Sequence, residues 1–83
     1  MSFSVYIIYS SKLDRYYVGY SQDIEIRLTQ HNTGISHFTA KARDWELKYS
    51  EAYNTREDAH AREMAIKKKK SRKYIEWLIN NPK

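Results

Sequence analysis

Two segments decide the fold of this chain, VYIIY at residues 5–9 and YYVGY at residues 16–20. Both are rich in β-branched and aromatic residues, and the polar sequence SSKLDR separates them, so they predict a β-hairpin. If Tyr6 lies about opposite Tyr17, the two phenols share one face of the sheet; a register shifted by one residue places them on opposite faces. We expect any site of this protein to form beside these tyrosines.

The composition predicts one small domain spanning residues 1–83. About 41% of the 83 residues are hydrophobic, which suffices for one core and is too much for a disordered chain. The chain has no cysteine, so neither a disulfide nor a thiolate zinc site holds the fold, and we expect a cytoplasmic protein. No signal peptide is visible, and no apolar run approaches the ~20 residues of a membrane span, so no membrane partner is expected.

The rest of the sequence predicts one more strand and three helices. A helix at residues 22–32, with Ser21 as its N-cap, is followed by a strand at residues 45–53, in which apolar and polar residues alternate. Two further helices are expected at residues 56–69 and 72–80. With the hairpin, the order is β-β-α-β-α-α, an α+β fold in which helices flank a small three-stranded antiparallel sheet.

Positive charge is concentrated near the end of the chain. The formal net charge is +5, and seven basic residues stand against Glu63 alone in residues 62–73. Such a segment suits a polyanion, most often nucleic acid, and a solvated helix face is an equally open alternative. With two cations of an irregular loop at residues 33–44, the candidate nucleic-acid-binding residues are Lys41, Arg43, Lys67, Lys69, Lys70, Arg72 and Lys73.

Three side chains stand out as chemical candidates. Arg27 and His31 are four residues apart and share one face of the predicted helix, although two exposed polar residues are the simpler interpretation. Glu63 lies between small or apolar neighbours on a predicted packing face. A carboxylate there is costly unless it is paired, solvated or bound to a metal. An ion pair with Arg62, Lys67 or Arg27 is the alternative to a metal.

The two strand segments also resemble the paired motifs of the GIY-YIG nuclease superfamily, with VYI at residues 5–7 and YVG at residues 17–19. The match continues through Arg27, His31 and Glu63, which precedes an Ile-Lys pair as in that superfamily. The first motif lacks its glycine. The resemblance covers nearly the whole chain and is nearest to small stand-alone bacterial members. The nuclease domain of the excision-repair enzyme and the homing endonucleases are more distant.

The resemblance implies hydrolysis of phosphodiester bonds with one divalent ion, Mg²⁺ or Mn²⁺, on DNA rather than RNA, as in repair or recombination. The implied catalytic residues are Tyr6, Tyr17, Arg27 and Glu63. Glu63 would hold the metal, Arg27 would clamp the phosphate, and one of the two tyrosines would activate water. A phenol is a poor base unless cations lower its pKa, as Arg27 and the metal could. His31 and Gly19 would support the site.

Two other function classes stay open. One is a nucleic-acid-binding domain on the same fold without catalysis, and the other is a structural domain whose motif residues belong to the core. Superfamily nucleases usually carry a separate DNA-recognition domain, for which this chain is too short. Sequence-specific cutting would therefore need a protein partner. Metal-dependent turnover separates the nuclease from the binding domain, and salt-dependent binding separates both from the structural domain.

Overall fold

The computed structural model describes residues 2–34 and 40–81, so residues 35–39 of the predicted loop lie outside the described residues. Over the described part, the elements in order are β1 (Phe3–Ser10), β2 (Arg15–Ser21), α1 (Ile24–Asn32), β3 (Glu46–Tyr53), α2 (Arg56–Lys69) and α3 (Arg72–Asn80). The predicted α+β fold and its element order are confirmed. In the same residues, no helix has the length and apolar character to cross a membrane.

Strand β1 is the centre of the sheet and is buried on both faces. It pairs antiparallel with β2 on one side and β3 on the other. Its odd-numbered residues pack in a cluster comprising Val5, Ile7, Val18, Tyr49, Ala59, Ile66 and Leu78. Its even-numbered residues pack in a second cluster comprising Tyr6, Ile8, Ala42 and Trp45, which Ile24 and Leu28 of α1 cover. This double burial explains why the strand is continuously apolar.

The hairpin register places both site tyrosines on one face of the sheet. Tyr6 is paired with Gly19 and Ile8 is paired with Tyr17. The two phenols are therefore diagonal neighbours, offset by two residues along the strands, and their ring centroids are 6.5 Å apart. The two phenols share one face, as in the first alternative considered from the sequence, although Tyr6 lies opposite Gly19 rather than Tyr17.

Each helix begins at a polar cap. Thr55 caps α2 and Ser71 caps α3, each accepting a backbone N–H bond at 3.1 Å. The cap of α1 is Asp23, whose carboxylate accepts from the backbone N–H of Ile26 at 3.1 Å. Ser21, the predicted cap, instead lies in β2, where its hydroxyl accepts from the backbone N–H of Asp23. The helix consequently begins two residues later than predicted.

The alternation expected in β3 is broken by an irregularity in its pairing with β1. Ile7 is paired with Tyr49 whereas Ile8 is paired with Leu47. Lys48, between the two β3 residues, therefore has no opposite residue on β1. Tyr49 therefore faces the core, and Leu47 is 42% exposed. The strand is confirmed, but the prediction that its apolar residues, Leu47 among them, share one core face was wrong.

Glu51 forms a buried polar network beneath β3. It accepts hydrogen bonds from Arg62 at 2.9 Å, from Tyr53 at 2.6 Å and from the Tyr49 hydroxyl. Burial opposes its ionisation, but the three donors outweigh burial and hold the pKa of the Glu51 carboxyl at about 2. Arg62 therefore forms part of this network, with its side chain only 25% exposed.

Replacing Glu51 with Ala should lower the free energy of unfolding by about 2–4 kcal/mol, because it leaves Arg62 partly buried without its counterion. Urea titration at pH 7 measures the change. Glu46→Ala is the matched control, since Glu46 forms an exposed pair with Lys48 and should lose no more than about 1 kcal/mol. Equal losses for the two variants would show that the buried network stabilises the fold no more than an exposed ion pair does.

Candidate functional site

The four predicted catalytic residues meet at one open cavity of about 590 Å³. Tyr6 comes from β1, Tyr17 from β2, Arg27 from α1 and Glu63 from α2. The remaining described lining residues are Phe3, Gly19, Tyr20, Ser21, Gln22 and Arg56. Four separate elements thus bring two phenols, a guanidinium and a carboxylate to one concave surface.

Tyr6 and His31 form a hydrogen-bonded pair below this surface. The Tyr6 hydroxyl lies 2.8 Å from Nε2 of His31, which is the last-turn residue of α1. Tyr6 is 1% exposed and His31 is fully buried. The ring of Tyr17 lies on the same imidazole, with centroids 4.9 Å apart. His31 therefore contacts both tyrosines. These contacts connect the last turn of α1 to strands β1 and β2 of the sheet.

Gly19 makes room for the Tyr6 phenol. A Cβ atom at this position would lie 2.6 Å from the Tyr6 hydroxyl and 2.8 Å from Cζ of the same ring. The β1–β2 pairing is regular there, so the glycine marks no bulge. A glycine inside a strand often marks a bulge or a close approach of a ligand; here the structure gives a third reason, the clearance of a buried side chain.

The environment keeps Tyr6 and His31 uncharged at neutral pH. Burial, with a contribution from Tyr17, raises the pKa of Tyr6 to about 12. Burial and then the positive charge of Arg27 lower the pKa of His31 to about 4. Arg27 does act to lower the pKa of Tyr6, as expected from the sequence, but burial outweighs it. In the protein alone, Tyr6 is therefore a phenol that hydrogen-bonds a neutral imidazole.

The buried histidine predicts a stability that depends on pH. The pKa of His31 falls from about 6.5 in the unfolded chain to about 4 when folded. The unfolded state therefore binds more protons between these values, so the stability present above pH 6.5 is lost as the pH falls towards 4. We expect a loss of about 1–3 kcal/mol from this group. Urea titrations at pH 7 and pH 4.5 measure it.

The control separates His31 from other titrating groups. His31→Gln should reduce the pH dependence, whereas His60→Gln should not, because the side chain of His60 is 56% exposed. The same pH dependence in the His31 variant and the wild type would contradict the assignment.

Glu63 lies at the cavity wall and is already paired. It is 7% exposed, and its Oε2 lies 3.2 Å from the Lys67 ammonium. Its Oε1 lies 3.9 Å from Nε2 of His60. The ion pair with Lys67, one of the alternatives raised by the sequence, is therefore present. Arg27, on the opposite helix, donates to the side chain of Gln30 at 2.8 Å.

The donor set fits a divalent ion held by a single protein ligand. Among the described residues, no group of three or more His, Cys, Asp or Glu side chains is arranged to hold a metal. Glu63 is the one carboxylate among the described residues that line the cavity. Mg²⁺ commonly keeps several waters and takes one or two carboxylates plus phosphate oxygens. A lone, oxygen-donating Glu63 is compatible with that mode of binding.

The basic residues late in the chain differ in the partners that they contact. Arg72 binds Asp14 at 2.7 Å and Glu76 at 3.3 Å, and Lys69 lies over the ring of Tyr74 at 5.2 Å. The other predicted nucleic-acid-binding cations are exposed on the described surface: Lys41, Arg43, Lys67, Lys70 and Lys73. Lys69 and Arg72 thus have partners within the fold, as Lys67 has in Glu63, although all three residues are exposed.

Five described lining residues were not among the predicted site residues: Phe3, Tyr20, Ser21, Gln22 and Arg56. Tyr20 follows the YVG motif by one position, but the register pairs it with Val5, on the face opposite Tyr6 and Tyr17, so alternation along the strand does not predict its place at the cavity. Arg56, the first residue of α2, donates to the Tyr20 hydroxyl at 3.3 Å. Nothing in the local pattern distinguishes Arg56 from other exposed cations, because its position depends on how α2 packs against β2.

Comparison with known proteins agrees with this architecture. A family model described as the GIY-YIG catalytic domain matches residues 2–75. A UPF0213 protein of Streptococcus pneumoniae is 34% identical over 67 residues, covering 80% of this chain and 68% of that protein. A UPF0213 protein of Staphylococcus epidermidis is 40% identical over 52 residues, and the match covers 61% of this chain and 63% of that protein. The solution NMR structure of a UPF0213 protein from Bacillus halodurans superposes with a TM-score of 0.61 at 26% identity, over 99% of this chain and 86% of that one.

Proposed function

The chain belongs to the GIY-YIG catalytic domain family, a family of nucleases, and on that premise we propose that it is a metal-dependent endonuclease acting on nucleic acid. We propose DNA rather than RNA as the substrate, and repair or recombination as the process. The absence of cysteine fits work in a reducing compartment such as the cytoplasm. The observation that carries the proposal is the cavity shared by Tyr6, Tyr17, Arg27 and Glu63.

Arg27 and Glu63 are the residues that would bind the charged groups, the phosphate and the metal ion. Arg27 presents a planar guanidinium that can donate two parallel hydrogen bonds to phosphate oxygens. Glu63 is the residue that would hold Mg²⁺ or Mn²⁺. When bound, the ion would stabilise the negative charge that develops on the phosphate and the leaving oxygen. Arg27 and Glu63 lie on different helices, so a phosphate in the cavity can be approached by both.

Tyr6 is the base that we propose, because among the described residues it has, unlike Tyr17, a hydrogen-bond partner able to take its proton. Nε2 of the neutral His31 lies 2.8 Å from the Tyr6 hydroxyl. As the attacking water gives its proton to the Tyr6 oxygen, the phenolic proton passes to His31. The negative phosphate then favours the imidazolium, which burial alone disfavours. Tyr17 packs on the imidazole and keeps it in place.

The test is a cleavage screen with the purified protein over single-stranded, duplex and branched DNA and RNA. We expect turnover with Mg²⁺ or Mn²⁺ that is lost when EDTA removes the metal. Wild-type protein that cuts none of these substrates, with either ion, would contradict the proposal.

Binding without catalysis is the second candidate, and the Lys67–Glu63 ion pair favours it, because a neutralised carboxylate is a weaker metal ligand. This function predicts nucleic-acid binding without turnover. For duplex DNA, log K should fall with log salt with a slope of roughly 0.9 per phosphate contact. Binding of this kind that metal leaves unchanged, together with a negative cleavage screen, would establish it.

A further inference from the structure

Lys67 occupies the carboxylate that would anchor a divalent ion. Its ammonium lies 3.2 Å from Oε2 of Glu63, and its side chain is 44% exposed, against 10% for the side chain of Glu63. The lysine therefore lies on the solvent side of the pair. A flexible four-carbon stem lets its ammonium move several ångströms without any backbone change. The ion pair can thus open towards solvent without a change in the backbone.

A second groove, of about 580 Å³, lies on the other side of Tyr17. Tyr17 lines both spaces, and the Lys67 ammonium lies 5.7 Å from the centre of its ring. The cations that line the second groove include Arg15, Lys67 and Lys70. The Arg72 that also lines it is neutralised by its ion pair with Asp14. Lys67 therefore stands between the Glu63 carboxylate and a groove that is rich in cations.

We propose that Lys67 is a movable cation that couples the metal site to a phosphate-binding subsite in this second groove. A divalent ion at Glu63 displaces the ammonium of Lys67. The freed ammonium joins Arg15 and Lys70 and binds a neighbouring phosphodiester of the same nucleic-acid strand. This rests on the proposed function, since it requires Glu63 to be the metal ligand.

The coupling has to act in both directions. If the metal frees Lys67 for the strand, then the strand draws Lys67 away from Glu63 and strengthens metal binding by the same factor. Without either ligand, Lys67 is the nearer of the two partners of the buried Glu63 carboxylate, the other being His60 at 3.9 Å. Metal and nucleic acid should therefore bind together rather than independently.

The first measurement is the affinity for Mn²⁺, followed by electron paramagnetic resonance of the free ion in the absence of nucleic acid and at constant ionic strength. Lys67→Met removes the competing ammonium, and we expect it to bind Mn²⁺ roughly tenfold more tightly than the wild type, a strength typical of coupled sites. Lys68→Met is the matched control, because it removes the same charge from the next, exposed position of α2. Its affinity should change much less.

The second measurement is the affinity for a short single-stranded DNA, by fluorescence anisotropy in a Tyr6→Phe background that slows cleavage without changing any charge. Mn²⁺ should tighten DNA binding roughly tenfold when Lys67 is present. The added Lys67→Met substitution should remove most of this gain, and the added Lys68→Met substitution should preserve it.

The outcomes separate the inference from the proposed function. Mn²⁺ that binds Glu63→Gln as well as it binds the wild type would overturn the metal site and the coupling together. Binding that depends on Glu63 but changes equally in the Lys67 and Lys68 variants would overturn the coupling alone. A gain in DNA affinity that survives Lys67→Met would do the same.

Discussion

Glu63→Gln abolishes metal-dependent cleavage, with an expected loss of about 10³-fold or more, if Glu63 anchors the divalent ion. The substitution preserves the shape of the side chain and removes the charge. An ion at such a site supplies several kcal/mol of transition-state stabilisation, and each 1.36 kcal/mol corresponds to about tenfold in rate. The initial rate of cleavage of the best substrate, measured with saturating Mn²⁺, gives the effect.

The fold should survive this substitution. The Lys67 partner of Glu63 is nearly half exposed, so the loss of the ion pair should cost only about 1 kcal/mol or less. Glu57→Gln is the matched control, since Glu57 is exposed in the first turn of the same helix, and it should cut at the wild-type rate. A pure Glu63→Gln protein that cuts as fast as the wild type would rule out this metal site.

Tyr6→Phe should lower the cleavage rate by about 10²- to 10⁴-fold, the range expected when a general base is lost. The variant retains the aromatic ring and removes the group that passes a proton to His31. It also removes the hydrogen bond of 2.8 Å between Tyr6 and Nε2 of the buried His31, which should cost about 1–3 kcal/mol of stability. Rates are therefore compared at a temperature where both proteins are folded.

Tyr17→Phe is the companion variant that tests which tyrosine is the base. Tyr17 lines the same cavity, so its hydroxyl can contact substrate, but we expect a smaller loss of rate than for Tyr6→Phe. The deficit of Tyr6→Phe should also shrink as the pH rises, because hydroxide can replace the proton acceptor. A larger and pH-dependent loss in Tyr17→Phe would transfer the role to Tyr17.

Local patterns predict the elements of this fold well. The strand composition at residues 5–9 and 16–20 predicts the hairpin, and the caps Thr55 and Ser71 predict where two helices begin. These features depend on neighbours in the sequence, so propensity and periodicity suffice. The motif order also identifies Tyr6, Tyr17, Gly19, Arg27 and Glu63 among the described lining residues, and their catalytic roles stay predictions.

Features that depend on distances between elements were not predictable. The clearance that Gly19 gives to Tyr6 requires the strand register, and the Tyr6–His31 hydrogen bond requires the docking of α1. The raised pKa of Tyr6 depends on burial, which no local pattern reports. The ion pair of Arg62 with Glu51 was not predictable either. The sequence shows Arg62 only as one more cation of the basic segment, and does not show which carboxylate lies beside it.

The alternating burial of β1 has a consequence for how chain length can vary among relatives. Val5 and Ile7 face one cluster while Tyr6 and Ile8 face the other. A single inserted or deleted residue inside this strand would exchange the two faces from that point onward. It would turn a phenol towards α2 and α3 and an aliphatic side chain towards the cavity. Insertions and deletions should therefore collect in the turn after β1 and in the segment between α1 and β3, while β1 holds a constant length.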